Sequence, residues 1–184
     1  MDDVTGVILK ALRFSAEKHS DQRRKDTRSS PYINHLIQVT ETLWSVGGVR
    51  DKNLLVAAIL HDTIEDTNAT PAEIEHEFGS DVLGLVLEVT DDKSLPKEIR
   101  KQLQIETAPN KSLRAKMLKL ADKLCNVHDI VHTPPTSWSL KRRQEYLLWT
   151  EKVVKGLRGT SRELEARYDE VLGEGKQILG MQGN

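Results

Sequence analysis

Residues 54–60, Leu-Leu-Val-Ala-Ala-Ile-Leu, run unbroken into His61-Asp62-Thr63-Ile64-Glu65-Asp66-Thr67. A stretch that is apolar on every side belongs inside a core. The polar run behind it therefore crowds a histidine and three carboxylates into about two helical turns at the core's edge. If the helix continues through the run, His61 and Glu65 stand one turn apart, as do Asp62 and Asp66, and the four side chains share one side. Two carboxylates so spaced repel by about 0.2–0.5 kcal/mol on an exposed helix, and by more where apolar neighbours exclude water. A cation answers that repulsion. The alternative is a solvated helix end, with His61 a satisfied core or capping histidine.

The His-Asp pair has company. Asp122 lies in Lys119-Leu120-Ala121-Asp122-Lys123-Leu124-Cys125-Asn126, a second apolar-periodic stretch with Asn126 one turn on, and His35 lies in Pro31-Tyr32-Ile33-Asn34-His35. His35, His61, Asp62 and Asp122 together offer two imidazoles and two carboxylates. Such a set suits manganese, iron or zinc and leaves coordination positions open for water and substrate, which points to catalysis. The single cysteine, Cys125, reads as a small buried residue, so no thiolate joins the set and a structural zinc site is not expected.

The 184 residues show no composition break, so one domain over 1–184 is expected. With 27 basic and 28 acidic side chains there is no net field to draw nucleic acid or an anionic membrane, so an anionic ligand needs a local cluster, and Arg23-Arg24-Lys25 is one. No apolar run approaches a membrane span of about 18 residues, and the N-terminus, with Asp2 and Asp3, lacks the basic-then-apolar pattern of a secretory signal. One cysteine excludes an internal disulfide. The expectation is a cytoplasmic protein that acts on a small molecule, with no nucleic-acid or membrane partner and its oligomeric state open.

Helical periodicity dominates. It predicts helices over residues 4–19, 33–44, 52–66, 71–78, 81–90, 96–106, 112–131, 140–157 and 161–179, with Pro71 and Pro96 in first turns and Gly79 as a terminator. Residues 82–87 are short and continuously apolar enough for a buried strand, but their flanks favour a helix, and there is no hairpin signal. The fold class is all-α, a bundle of about eight to nine helices. Residues 20–30 form a long polar connection, either a solvated loop or one that carries Arg24 and Lys25 toward the ion that His35 would hold.

These motifs also carry a resemblance. Arg23-Arg24-Lys25-Asp26, Pro31-Tyr32-Ile33-Asn34-His35, His61-Asp62-Thr63-Ile64-Glu65-Asp66-Thr67 and Lys119-Leu120-Ala121-Asp122-Lys123-Leu124 stand in the order of the HD-superfamily hydrolase domain of RelA/SpoT-type proteins. Glu88-Val89-Thr90-Asp91-Asp92-Lys93-Ser94-Leu95-Pro96-Lys97 fits as well. Trp138, Arg142, Gln144-Glu145-Tyr146, Val153-Val154-Lys155-Gly156-Leu157 and Gly159-Thr160 look like the small stand-alone branch typified by the metazoan SpoT homologue. The resemblance implies an HD-domain helical bundle that hydrolyses the 3′-pyrophosphate of (p)ppGpp to GDP or GTP and pyrophosphate. It implies Mn2+, or another divalent ion, held by His35, His61, Asp62 and Asp122. Glu65 and Asp66, one turn beyond the ligands, would orient or deprotonate water, Glu65 first. The family pattern makes Arg24 a platform against the purine, Lys25 a phosphate or sugar contact and Lys97 a further substrate contact. Asn126 would reach ribose or phosphates, and Arg142 with Tyr146 the distal part of the substrate.

Three positions depart from the pattern: Leu36 where proline often follows the histidine, Cys125 where an aromatic is common, and His128 where arginine is frequent. The last puts a phosphate contact there in doubt, since an unperturbed histidine is mostly uncharged above a pKa of about 6.5. The same site on NADPH, as a 2′-phosphatase, or on (p)ppApp is the alternative within enzymes. A catalytically silent nucleotide sensor is the alternative outside them. Hydrolysis without alarmone synthesis is expected.

Overall fold

The computed structural model describes residues 4–181, so Asp2 and Asp3 lie outside the described residues. Ten α-helical segments follow one another there: α1 (Val4–Lys18), α2 (Ile33–Ser45), α3 (Lys52–Leu60), α4 (Thr63–Asp66), α5 (Pro71–Phe78), α6 (Ser80–Val89), α7 (Lys97–Thr107), α8 (Leu113–His132), α9 (Leu140–Lys155) and α10 (Arg162–Ile178). A 3-10 turn at Ala108–Asn110 joins α7 to α8. The only β pairing among the described residues is an isolated antiparallel bridge between Arg23 and Pro31. The fold is all-α, as expected, and residues 82–87 lie in α6.

The apolar run forms the axis of the molecule. Asp51 caps α3 by accepting from the backbone N–H groups of Asn53 and Leu54, and every residue from Leu54 to Leu60 is buried. Each large aliphatic side chain there gains about 1.5–3 kcal/mol over exposure. Helices α1, α2, α6 and α8 pack around it. Helix α10 closes on α8 at Gly175, where a Cβ would stand 2.6 Å from a methyl of Val131, so a larger residue would part the two helices. Between α5 and α6, Gly79 turns the chain at φ 88°, a left-handed conformation that costs glycine little. Pro71 occupies the first turn of α5 beside a Thr70–Glu73 capping box, whereas Pro96 stands just before α7 as its N-cap residue.

The continuous helix expected over residues 52–66 does not form. α3 ends at Leu60, Asp62 adopts φ −100° and ψ 0°, and a single new turn, α4, restarts at Thr63. That sparsely populated bridge conformation recurs at functional sites. The connection over residues 20–30 is not a free loop either. Arg24 donates its N–H to the Ser30 carbonyl (2.8 Å) and Tyr32 to that of Gln22 (3.1 Å), which folds the segment back on itself at the mouth of the site.

Candidate active site

Three elements converge on one point: α2 brings His35, the break between α3 and α4 brings His61 and Asp62, and α8 brings Asp122. His35 Nε2 lies 3.2 Å from Asp122 Oδ1, and His61 Nε2 lies 3.7 Å from that oxygen and 3.3 Å from Asp62 Oδ2. The His61 ring is fixed by its own backbone, since Nδ1–H donates to the Ala58 carbonyl at 2.8 Å and leaves Nε2 aimed at the carboxylates. That Nε2 is buried without a hydrogen-bond partner. Ligand atoms of His35, His61 and Asp62 all fall within 4.8 Å of one another.

The four side chains fit a divalent cation. Ligands bound at about 2.0–2.2 Å stand close to 3 Å apart, near the spacings seen here, and the buried His61 Nε2, which no hydrogen bond occupies, is open to an ion. Charge leads to the same conclusion. Burial alone would lower the His61 pKa, but the Asp62 and Asp122 carboxylates outweigh it and push it up to about 10. Burial likewise works against ionised Asp122, yet Lys123 and the two imidazoles hold its carboxyl well below the usual range. The pocket is therefore built for positive charge.

The shared side expected for His61, Asp62, Glu65 and Asp66 is only half realised, because the break at Asp62 turns the last two outward in different directions. Glu65 Oε2 accepts from the Asp91 backbone N–H at 3.0 Å, and its Oε1 lies 3.6 Å from Arg100 Nη1. Burial, with Asp62 and Asp91 nearby, raises the Glu65 pKa above the ordinary 4.5 despite that N–H. Asp66 accepts from Gln22 Nε2 at 3.0 Å and pairs with Lys93. The two carboxylates border different lobes of one cleft.

The larger lobe, of about 740 Å³, is lined by Glu65, Lys97, Arg100, Lys101, Arg142, Tyr146 and Trp149 among others. The smaller, of about 300 Å³, is lined by Arg24, Asp66, Asn126, Asp129 and Tyr32. Lys25, Trp138 and Tyr146 border both, so they join the lobes. The structure thus brings all six expected binding residues to one cleft, Arg24, Lys25, Asn126 and Tyr146 in one lobe and Lys97 and Arg142 with Lys25 and Tyr146 in the other. His35, His61 and Asp122 lie behind this lining, 2, 5 and 7 % exposed. The Arg142 guanidinium rests on the Trp138 ring at 4.1 Å, and the Asn126 amide donates to Asp122 Oδ1 at 2.6 Å. His128 borders neither lobe.

Several participants went unassigned in the sequence. Tyr32 donates its hydroxyl to Asp62 Oδ2 at 2.5 Å, and Lys123 Nζ donates to Asp122 Oδ2 at 3.0 Å. Asp129 pairs with Arg24, whose guanidinium also lies over the Tyr32 ring at 5.9 Å. Tyr32 and Lys123 sit inside quoted motifs, which is a usable signal. Asp129 and Arg100 act across 105 and 35 residues, and no local pattern marks them.

A family model described as HD domain matches residues 11–150. Guanosine-3′,5′-bis(diphosphate) 3′-pyrophosphohydrolase MESH1 of Xenopus tropicalis is 53% identical over 169 residues, which cover 92% of this chain and 94% of that protein. The protein of the same name from Drosophila melanogaster is 50% identical over 164 residues, covering 89% and 92%. A solved structure, described as a metazoan ortholog of SpoT that hydrolyzes ppGpp and plays a role in starvation responses, superposes with a TM-score of 0.89 at 46% identity, covering 96% of this chain and 97% of that one. With the His-Asp doublet at the centre of this buried cluster and these relatives along most of its length, the chain belongs to the HD-domain family, in its branch of small alarmone hydrolases.

Proposed function

We infer that this chain is a metal-dependent (p)ppGpp 3′-pyrophosphohydrolase. The observation that carries this is the mixed set His35, His61, Asp62 and Asp122, preorganised beneath a cleft rich in cations. The reaction adds water across the bond between the ribose 3′-oxygen and the pyrophosphate, giving GDP or GTP and pyrophosphate. A divalent ion held by the four ligands, manganese in this reading, supplies Lewis acidity that acidifies water and polarises a phosphoryl oxygen.

The chain's own residues do the rest. Glu65 accepts the water's proton, suited to it by a pKa raised through burial and by the Asp91 N–H and Arg100 that hold its oxygens in place. Asp66, pinned by Gln22 and Lys93, orients the water or the sugar from the smaller lobe. Arg24, fixed by Asp129, presents a planar guanidinium to the purine, while Lys25 and Asn126 meet ribose and phosphates. Lys97, Arg142 and Tyr146 receive the distal phosphates in the larger lobe. That lobe is lined by Lys25, Lys97, Arg100, Lys101, Lys141 and Arg142 against four carboxylates, a local excess of positive charge on a chain of net charge −1.

The whole chain acts as one HD-type domain in the cytoplasm, on a nucleotide and without nucleic acid as partner. Among the described residues no helix is long and apolar enough to cross a membrane. The test is pyrophosphate release from ppGpp by metal-stripped, manganese-reloaded protein. Rapid release that disappears in Asp62→Ala supports the assignment, and orthophosphate from NADPH with no pyrophosphate from ppGpp would replace it.

A further inference from the structure

The geometry points to a second metal site on the far half of α8, formed by His128, His132 and Glu174 and selective for a borderline transition-metal ion such as Zn2+ or Cu2+. His128 and His132 stand one turn apart, their rings 4.5 Å apart centre to centre at an interplanar angle of 46°. An i, i+4 histidine pair on one helical face is a chelating arrangement. A third donor comes from the packed neighbour α10, where Glu174 Oε2 lies 3.6 Å from His132 Nε2. The three side chains are 41, 35 and 50% exposed, enough to turn onto an ion and leave room for water.

The surroundings favour the ligating form. His128 Nδ1 lies 3.3 Å from Asp129 Oδ1, so the carboxylate fixes the tautomer with the hydrogen on Nδ1 and the Nε2 lone pair outward. A carboxylate behind a ligating histidine is the arrangement that orients and strengthens imidazole donors in metal sites. An open hollow of about 450 Å³, lined by Asp26, Arg28, Ser30 and Thr133 among others, adjoins His132 and leaves that ring accessible from one side. Asp122 is six and ten residues away along the same helix, about 9 and 15 Å at 1.5 Å per residue, so this is not an extension of the catalytic set. Two imidazoles with a single carboxylate favour zinc, copper or nickel over manganese, whereas the catalytic set, with a second carboxylate, accepts the harder ions too.

Binding of Zn2+ to the metal-stripped full chain, read by titration calorimetry together with histidine-selective NMR, tests this independently of turnover. Two equivalents are expected, with the imidazole nitrogens of His128 and His132 shifting as one of them binds. The His128→Gln/His132→Gln double variant should lose one equivalent and keep the other, and Glu174→Gln should weaken that same equivalent. A single equivalent in the unaltered chain, or two that survive in the double variant, would overturn the site. Since the readout is stoichiometry, failure here leaves the hydrolase assignment standing, and failure of ppGpp hydrolysis leaves this site standing.

Discussion

The ligand set and the cleft that covers it are built on opposite plans. His61, Asp62 and Asp122 stand on or beside helices that also build the core, and each is held by a second group: His61 by the Ala58 carbonyl, Asp122 by Lys123 and Asn126, Asp62 by Tyr32. The outer wall is different. Helix α7 has no buried residue and leans chiefly on α9, and its cations Lys97, Arg100 and Lys101 project into the larger lobe. Rigid placement suits groups that must converge on one atom, and adjustable charge suits a flexible polyphosphate. Substitutions in the first region should therefore act on turnover, and those in the second on affinity.

The sharpest break is at the ligands. Asp62→Ala or His61→Ala should abolish pyrophosphate release while far-UV circular dichroism keeps its helical signal, since neither side chain belongs to the aliphatic core. Glu65→Gln comes next, with kcat reduced about 10²–10⁴-fold, the usual contribution of a positioned proton acceptor, and KM little changed. The pH profile follows from the same residue. A base works deprotonated, so kcat/KM should rise with pH through the Glu65 pKa. Because burial raises that pKa, the acid limb should lie above where an ordinary glutamate would put it. A limb unmoved by Glu65→Gln would assign the proton transfer elsewhere.

Lys123 tests whether the supports of the ligand set matter as the contrast claims. It is buried, 3.0 Å from Asp122 Oδ2, and its ammonium lies over the Trp149 ring at 5.0 Å. Lys123→Met leaves Asp122 charged and without that partner, which should cost about 3–5 kcal/mol in denaturant unfolding. Metal affinity should fall about 10–100-fold, the loss typical when a group behind a ligand is removed. Excess divalent ion should restore part of both, because the ion replaces the missing positive charge.

The two regions also differed in how much the sequence disclosed. Periodicity located the helices to within a few residues, and the four side chains that converge, His35, His61, Asp62 and Asp122, were legible because each sits in a compact motif. What it missed is non-local. The chain breaks at Asp62 where the carboxylate meets the hydroxyl of Tyr32, thirty residues earlier, and a period of 3.6 carries no sign of that bond. The break sends Glu65 and Asp66 to separate lobes, so only His61 and Asp62 keep the shared side read from the spacing. Pairings such as Arg24 with Asp129 and Glu65 with Arg100 depend on which helices pack together, which local spacing does not encode. His128, the departure that put a phosphate contact in doubt, is not among the residues that line either lobe.

The smallest effects belong to the outer wall, and they decide whether the contrast is real. Lys97 and Arg142 are exposed, so each contact with a phosphate is screened by water and salt and is worth up to about 1 kcal/mol, roughly fivefold in KM. Arg142 has a further tie, because its guanidinium lies over the Trp138 ring at 4.1 Å, and losing it also uncovers that ring at the junction of the two lobes. Arg142→Ala should accordingly raise KM more than Lys97→Ala, with kcat nearly constant in both and the gap between them narrowing little in high salt, since stacking is screened less than charge. A fall in kcat as large as that of Glu65→Gln would mean that the wall positions the reacting phosphate, and the division between rigid centre and adjustable cover would have to be redrawn with α7 on the catalytic side.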